Sequence, residues 1–286
     1  SDVYQEGSSH LANVDQDGIL NSALVTQLGD AGSTEPNNVV DIDQIGILNS
    51  ASVFQDGELN SSIVLQEGNS NGALVEQIGS GNSGDIRQWG DDNSAFQFQG
   101  NPLVDLGTDN TAIIEQGEAL TGWQSAQNST AQQEQYGEAN YAKITQRGNN
   151  HITRQLQQGD ENEAKTYQGN DNNFSRQAQT GNGNYANTQQ YFSSNISYQE
   201  QTGNDNYANT VQTGPGAGFN TSFLTQFGDN NWAMHRQNGL SNGASTDQVG
   251  DMHNSNVNQV GNNNSASVLQ SSPGAVSVPG PVGPMM

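Results

Sequence analysis

A Gln-x-Gly tripeptide returns every eleven residues along this chain, and an Asn follows most of those glutamines by five positions. The beat runs through Gln5, Gln16 and Gln27, then resumes at Gln44 after an insertion and holds through Gln55, Gln66, Gln77, Gln88 and Gln99. It continues from Gln135 through Gln146, Gln157, Gln168, Gln179, Gln190, Gln201 and Gln212, and again from Gln226 through Gln237, Gln248, Gln259 and Gln270. A unit this short cannot enclose a core of its own, so copies must stack on one another as a solenoid or fibril.

Within one unit, Asn21-Ser22-Ala23-Leu24-Val25-Thr26-Gln27, the residues Asn, Ala, Val and Gln occupy alternate positions and share one face of an extended strand. Asn71-Ala73-Val75-Gln77, Asn140-Ala142-Ile144-Gln146 and Asn264-Ala266-Val268-Gln270 repeat that face, while the intervening positions vary as an outer face should. The spacing predicts an all-β cross-β solenoid in which seven-residue strands alternate with four-residue turns. Two strands and two turns make a coil of about 22 residues, with coils about 4.7 Å apart. Twenty-four Gln-ended strands give twelve coils and a height on the order of 55 Å.

Stacking puts like on like. The expected amide ladder comprises Gln5, Gln16, Gln27, Gln44, Gln55, Gln66, Gln77, Gln88, Gln135, Gln146, Gln157, Gln179, Gln201, Gln212, Gln226, Gln237, Gln248 and Gln259. With them stand Asn21, Asn49, Asn60, Asn71, Asn82, Asn93, Asn140, Asn162, Asn184, Asn206, Asn231, Asn242 and Asn264. Amides stacked along an axis satisfy one another where burial would otherwise be costly, and Ala, Ser, Val and Ile fill the space between the sheets as a dry zipper. Gly18, Gly29, Gly46, Gly57, Gly68, Gly79, Gly148, Gly181, Gly203, Gly228 and Gly250 are expected to supply positive φ in the turns.

Three stretches break the rhythm. Gly/Pro-bearing insertions at Asp30 to Pro36 and Pro215 to Gly218 are expected to bulge from turns, and an irregular loop is expected near Leu120 to Gln127. Residues 1–270 form the repeat domain; 271–286, with Pro273, Pro279, Pro281 and Pro284, cannot extend a ladder and read as a flexible tail. Both Ser1 to Gln5 and Asn264 to Gln270 are repeat strands, so uncapped edges and head-to-tail addition of copies are expected.

Composition narrows the partners. The net charge of −23 argues against nucleic acid and anionic membrane, and no apolar run reaches the length of a membrane span. The absence of cysteine excludes disulfides and thiolate chemistry. The charge is uneven: residues 1–120 hold nineteen acidic residues and one basic, Arg87, whereas 121–286 hold eleven and six. The chain opens directly on repeat sequence, as a mature exported product would after loss of a signal segment.

The iterated pattern Gln-x-Gly-x-x-Asn-x-Ala-x-Val-x-Gln, at Gln16 to Gln27, Gln66 to Gln77 and Gln135 to Gln146, resembles the curlin repeat of curli subunits, the extracellular functional amyloid of bacterial biofilms. The resemblance covers about residues 1–270. It implies a self-assembling major fibre subunit in adhesion and cell aggregation, passage through an outer-membrane channel, nucleation by a minor subunit, and no cofactor. The alternative is a monomeric solenoid adhesin or surface-binding protein.

Features that could carry chemistry fit the repeat instead. His10, His151 and His253 stand in the Asn slot and His235 in the Val slot, with no catalytic constellation around them. Pairing alternate strands aligns Glu6, Leu28, Asp56, Ile78 in one column and Asp17, Ile45, Glu67, Trp89 in another. Acid and apolar residues thus alternate, which limits repulsion and disfavours a calcium ladder. A column of Tyr141, Glu163, Tyr185, Tyr207 and Trp232 is expected on the outer face, as a stacking ladder or a lateral contact.

Overall fold

The computed structural model describes residues 1–7, 9–29, 38–100, 107–117, 126–214 and 219–272. Its strands, numbered along the chain, alternate between two parallel sheets. The first sheet stacks β1 (Asp2–Glu6), β3 (Ser22–Leu28), β5 (Ser50–Glu58), β7 (Gly72–Ser80), β9 (Ser94–Gln99), β12 (Thr130–Tyr136), β14 (Ile152–Gln158), β16 (Phe174–Thr180), β18 (Ile196–Thr202), β20 (Thr221–Phe227), β22 (Gly243–Val249) and β24 (Ser265–Ser271). The second stacks β2 (Leu11–Ile19), β4 (Val39–Ile47), β6 (Ser61–Asn69), β8 (Ser83–Asp91), β10 (Thr111–Gln116), β13 (Tyr141–Arg147), β15 (Glu163–Gly169), β17 (Tyr185–Gln190), β19 (Tyr207–Thr213), β21 (Trp232–Asn238) and β23 (Asn254–Val260). Each chain turn crosses from one sheet to the other, giving a β-solenoid of about 22 residues per coil.

Pairing keeps the repeat in register: Ala23 lies on Ala51, Val25 on Val53 and Gln27 on Gln55, and the same holds coil after coil. The columns Glu6–Leu28–Asp56–Ile78 and Asp17–Ile45–Glu67–Trp89 form as the spacing predicts. The count differs by one strand. β11 (Ala126–Gln127) lies off the stacking path and pairs only with Gly90 and Asp91 of β8, so Gln127 ends no ladder strand. Eleven coils and one further strand remain, about 52 Å tall at ~4.7 Å per step.

The expected insertions at 30–36 and 215–218 lie outside the described residues, as does the loop near Leu120 apart from Ala126 and Gln127. Ser271 still belongs to β24; the rest of the proposed tail, from 273 onward, is likewise outside them.

The space between the sheets changes character along the axis. In the early coils Val25, Val40, Ile42, Val53, Val64, Val75 and Ile86 are fully buried, each Val or Ile stabilising the coil by roughly 1.5–3 kcal/mol. From β9 to β18 the Val slot of the first sheet holds Gln97, Gln133, Gln155, Gln177 and Gln199, all buried, while the second sheet keeps Ile114 and Ile144 and then offers Thr166, Thr188, Thr210 and His235; Leu224 and Val257 return apolar side chains near the far end. The dry zipper therefore describes only the first half. In the second half, hydroxyls pair across the gap, as in Thr188 with Ser197 at 3.2 Å and Thr210 with Ser222 at 2.9 Å.

Candidate functional site

The feature with the widest reach is the amide ladder. In the first sheet each Gln Nε2 donates to Oε1 of the glutamine on the next strand, from Gln5 to Gln27 at 2.6 Å through to Gln248 and Gln270 at 2.7 Å. The second sheet carries an equally unbroken series from Gln16 to Gln259. Gln99, Gln116, Gln168 and Gln190, whose following turns depart from the motif, are rungs too. The second Nε2 hydrogen often reaches a backbone carbonyl of the opposite sheet, as from Gln55 to Val39 and Gln44 to Ser22. One amide thus ties its strand both along the axis and across the gap.

A second ladder runs through the Asn slots and uses the backbone. The amide N–H of Asn49 donates to Oδ1 of Asn21, that of Asn71 to Asn49, and that of Asn93 to Asn71. Asn Nδ2 then reaches the carbonyl of a turn glycine in the next coil, Gly68 for Asn49 and Gly181 for Asn162. Substitutions in this column preserve an acceptor: His151 N–H donates to Ser129 Oγ, and Asn173 N–H donates to Nδ1 of His151. Because Nδ1 accepts, Nε2 carries the hydrogen and donates to the Arg147 carbonyl at 3.0 Å, the bond Asn Nδ2 makes to the residue four back in Asn49. Burial holds His151 below the usual histidine pKa. His10 and His253 make the same four-back contact.

Stacking dictates the turn glycines. Gly18 sits at φ 114°, and a Cβ there would lie 1.9 Å from the carbonyl oxygen of Gly46 in the next coil. The other glycines expected in the turns also have positive φ, except Gly29, beside the insertion, which does not. Most of the described turns have a second left-handed position, immediately before the Asn slot, occupied by Leu20, Leu48, Leu59 and then mostly by Ser, Asp or Asn.

Two further ladders escaped sequence reasoning. Gln97, Gln133, Gln155, Gln177 and Gln199 form an inner amide column of their own at 2.8–3.2 Å; the Gln-x-Gln doublets, 22 residues apart from Gln133 onward, were its signal. In the turns, the backbone N–H of Asp160 donates to Oδ1 of Asn182, that of Asn182 to Asn204, and that of Asn204 to Asp229.

On the outer face, Tyr185 and Tyr207 stack with centroids 4.9 Å apart and 6° between planes, and Tyr207 stacks on Trp232 at 5.8 Å. Tyr141 stands at the head of this column, separated from Tyr185 by Glu163, and Lys165 Nζ lies 5.4 Å from its ring centroid. Carboxylates do meet on adjacent coils, although not in the two columns expected to keep them apart: Asp15 pairs with Asp43, and burial, with Asp15 and Asp41 adding to it, raises the Asp43 pKa. No group of three or more His, Cys, Asp or Glu among the described residues is placed to hold a metal ion.

Residues 2–29 and 49–79 match a family model, the Curlin associated repeat. Those two segments hold the ladder glutamines Gln5, Gln16, Gln27, Gln55, Gln66 and Gln77, so the motif that the match recognises is the one that builds the rungs. No curated protein matches the chain.

Proposed function

Taking the curlin repeat as the unit from which this chain is built, we propose that it is a structural subunit that adds end to end to make an extracellular cross-β fibre of a bacterial biofilm matrix, serving adhesion and cell aggregation. The observation that carries this reading is the sense of the Gln ladders. Every rung donates from Nε2 toward the later strand, so the β1/β2 end presents Oε1 acceptors, on Gln5 and Gln16, to whatever stacks below. The β23/β24 end presents Gln259 and Gln270, whose side-chain amides make no ladder bond to a further strand among the described residues. Complementary ends favour head-to-tail addition in which the contact between copies repeats the contact within one. On this reading the chain is not an enzyme, and the family resemblance supplies its expected partners: an outer-membrane channel and a nucleating subunit.

Purified chain held at micromolar concentration without denaturant, followed by thioflavin fluorescence, electron microscopy and fibre diffraction, tests it. Unbranched fibrils with a meridional reflection near 4.7 Å are expected. A stable monomer of constant mass would overturn the polymer and favour a solitary surface-binding solenoid.

A further inference from the structure

Arg154 and Arg176 are register partners on adjacent strands β14 and β16, both exposed on the outward face of the first sheet. Neither makes an ion pair among the described residues. The other cations are mostly engaged: Arg87 with Asp85, Lys143 with Glu115, Lys165 with Glu163, and Arg147 over the Tyr167 ring. Arg236 is exposed on the second sheet, but it stands on a single rung between Val211 and Asn258. Glu134 and Glu200 stand one rung away in the adjacent column without pairing with them, so two stacked guanidinium groups on a chain of net charge −23 remain open to an anion from outside.

The chain carries a matching anion. Asp15 and Asp43 are register partners on β2 and β4, on the outward face of the second sheet, and Asp41 lies in the next column. Asp41 receives a neutral hydrogen bond from Asn13 at 2.9 Å, and Arg87, the one cation in residues 1–120, is already bound to Asp85. Both patches have the same rung spacing, and an exposed aliphatic side chain stands on each face, Ile152 two residues before Arg154 and Leu11 two residues before Asn13. Charge complementarity, equal spacing and an apolar border are what a specific face-to-face contact requires.

We propose that fibres of this chain pair side by side, the first-sheet face carrying Arg154 and Arg176 docking on the second-sheet face of a second copy at Asp15, Asp41 and Asp43. This rests on the fibre reading above. The contact sets the seventh and eighth strands of one copy's first sheet against the first and second strands of the other's second sheet, so neighbouring subunits interlock out of step. Because each charge sits outside the ladders, single fibres do not depend on it.

The test compares wild-type fibres with R154E/R176E, with D15K/D43K and with the chain bearing all four changes, scoring bundle width by electron microscopy and single-fibre formation by thioflavin fluorescence. Each double variant is expected to form single fibres normally with about tenfold fewer bundles, because like charges then face across the contact. The fourfold variant is expected to bundle again, and about 1 M salt, where the Debye length is about 3 Å, to disperse wild-type bundles. Wild-type-like bundling of either double variant, or failure of the fourfold variant to restore it, overturns the proposal. So does an R154E/R176E fibre that bundles normally but loses binding to soluble alginate, which would assign the arginines to an anionic polymer. If the wild-type chain forms no fibres at all, the assembly reading has failed separately. Sedimentation of the soluble chains then decides the docking through the same four proteins.

Discussion

His235 occupies a slot that holds Val or Ile in the early coils, yet its ring is fully buried with both nitrogens engaged, Nδ1 with Ser222 Oγ at 2.9 Å and Nε2 with Thr246 Oγ1 at 2.8 Å. Hydroxyls can partner a neutral imidazole but offer no charge to an imidazolium, and burial lowers its pKa from 6.5 to about 4. Well above pH 6.5 the ring is neutral folded or unfolded and adds no pH dependence. As pH falls toward 4, the unfolded chain takes up a proton that the buried ring refuses, so stability declines, by up to about 3 kcal/mol. His235→Gln, an amide of the kind that fills this slot elsewhere, is expected to flatten that part of the profile when urea midpoints are compared at pH 7.5 and 4.5. An unchanged difference between the two pH values would assign the acid sensitivity to the carboxylates. Leu59 poses a conformational cost instead: a half-exposed side chain held at φ 58°, where the equivalent positions are Asp92, Asn128, Asn150 and Asn230. Leu59→Asn is expected to raise stability by about 0.5–1 kcal/mol, read as a higher urea midpoint; no rise would mean that contacts of the leucine outweigh the backbone strain.

A column acts as an element only when every rung is present. Gln177 accepts from Gln155 at 2.8 Å and donates to Gln199 at 2.9 Å and toward Thr188 at 3.4 Å. Gln177→Val restores the residue that the early coils use in this slot, yet it takes the donor from the buried Gln199 Oε1 and from the Lys165 carbonyl and the shortest of three acceptors from Gln155 Nε2, at a cost of about 2–3 kcal/mol. Replacing Gln97, Gln133, Gln155, Gln177 and Gln199 together is expected to cost far less than five times that amount, because no amide is then left facing a methyl group. Additive losses in denaturant midpoints would show that the amides act singly. Strand register and the outer ladder were legible because both follow from one period: once Gln27 sits on Gln55, Glu6, Leu28 and Asp56 must share a column. The inner amide column was harder to see, since Gln155 reads equally well as variation in an apolar slot until the opposite sheet is known to present Thr166. The left-handed position at Leu59 left no trace for a similar reason: coil stacking imposes it, and Leu has no preference for it.

At the scale of the whole molecule, the ladders give the solenoid a direction, and growth should respond to changes made at one edge. Ser272 N–H donates to the Val249 carbonyl and Gly243 N–H to the Asn264 carbonyl. In a parallel pair this alternation turns the N–H groups of Ala266, Val268 and Gln270 toward β22 and leaves those of Ser267 and Leu269 pointing away from the stack. Proline at Ser267 and Leu269 therefore deletes only donors that a further strand would use, and an edge strand tolerates it there. The doubly substituted chain is expected to fold with the same β content yet to add no copy on that side. Because its β1/β2 end is intact, substoichiometric amounts should join wild-type fibres and stop their growth at one end, seen as shorter fibrils and a lower thioflavin plateau. Proline at Ala266 and Val268, whose N–H groups bond β22, should instead fray the last coil and cap poorly. Equal capping by both pairs would mean that subunits join through something other than the open edge of β24. Wild-type growth in the presence of the Ser267 and Leu269 variant would mean that the chain polymerises through its faces, with the ladders serving only to hold each subunit together.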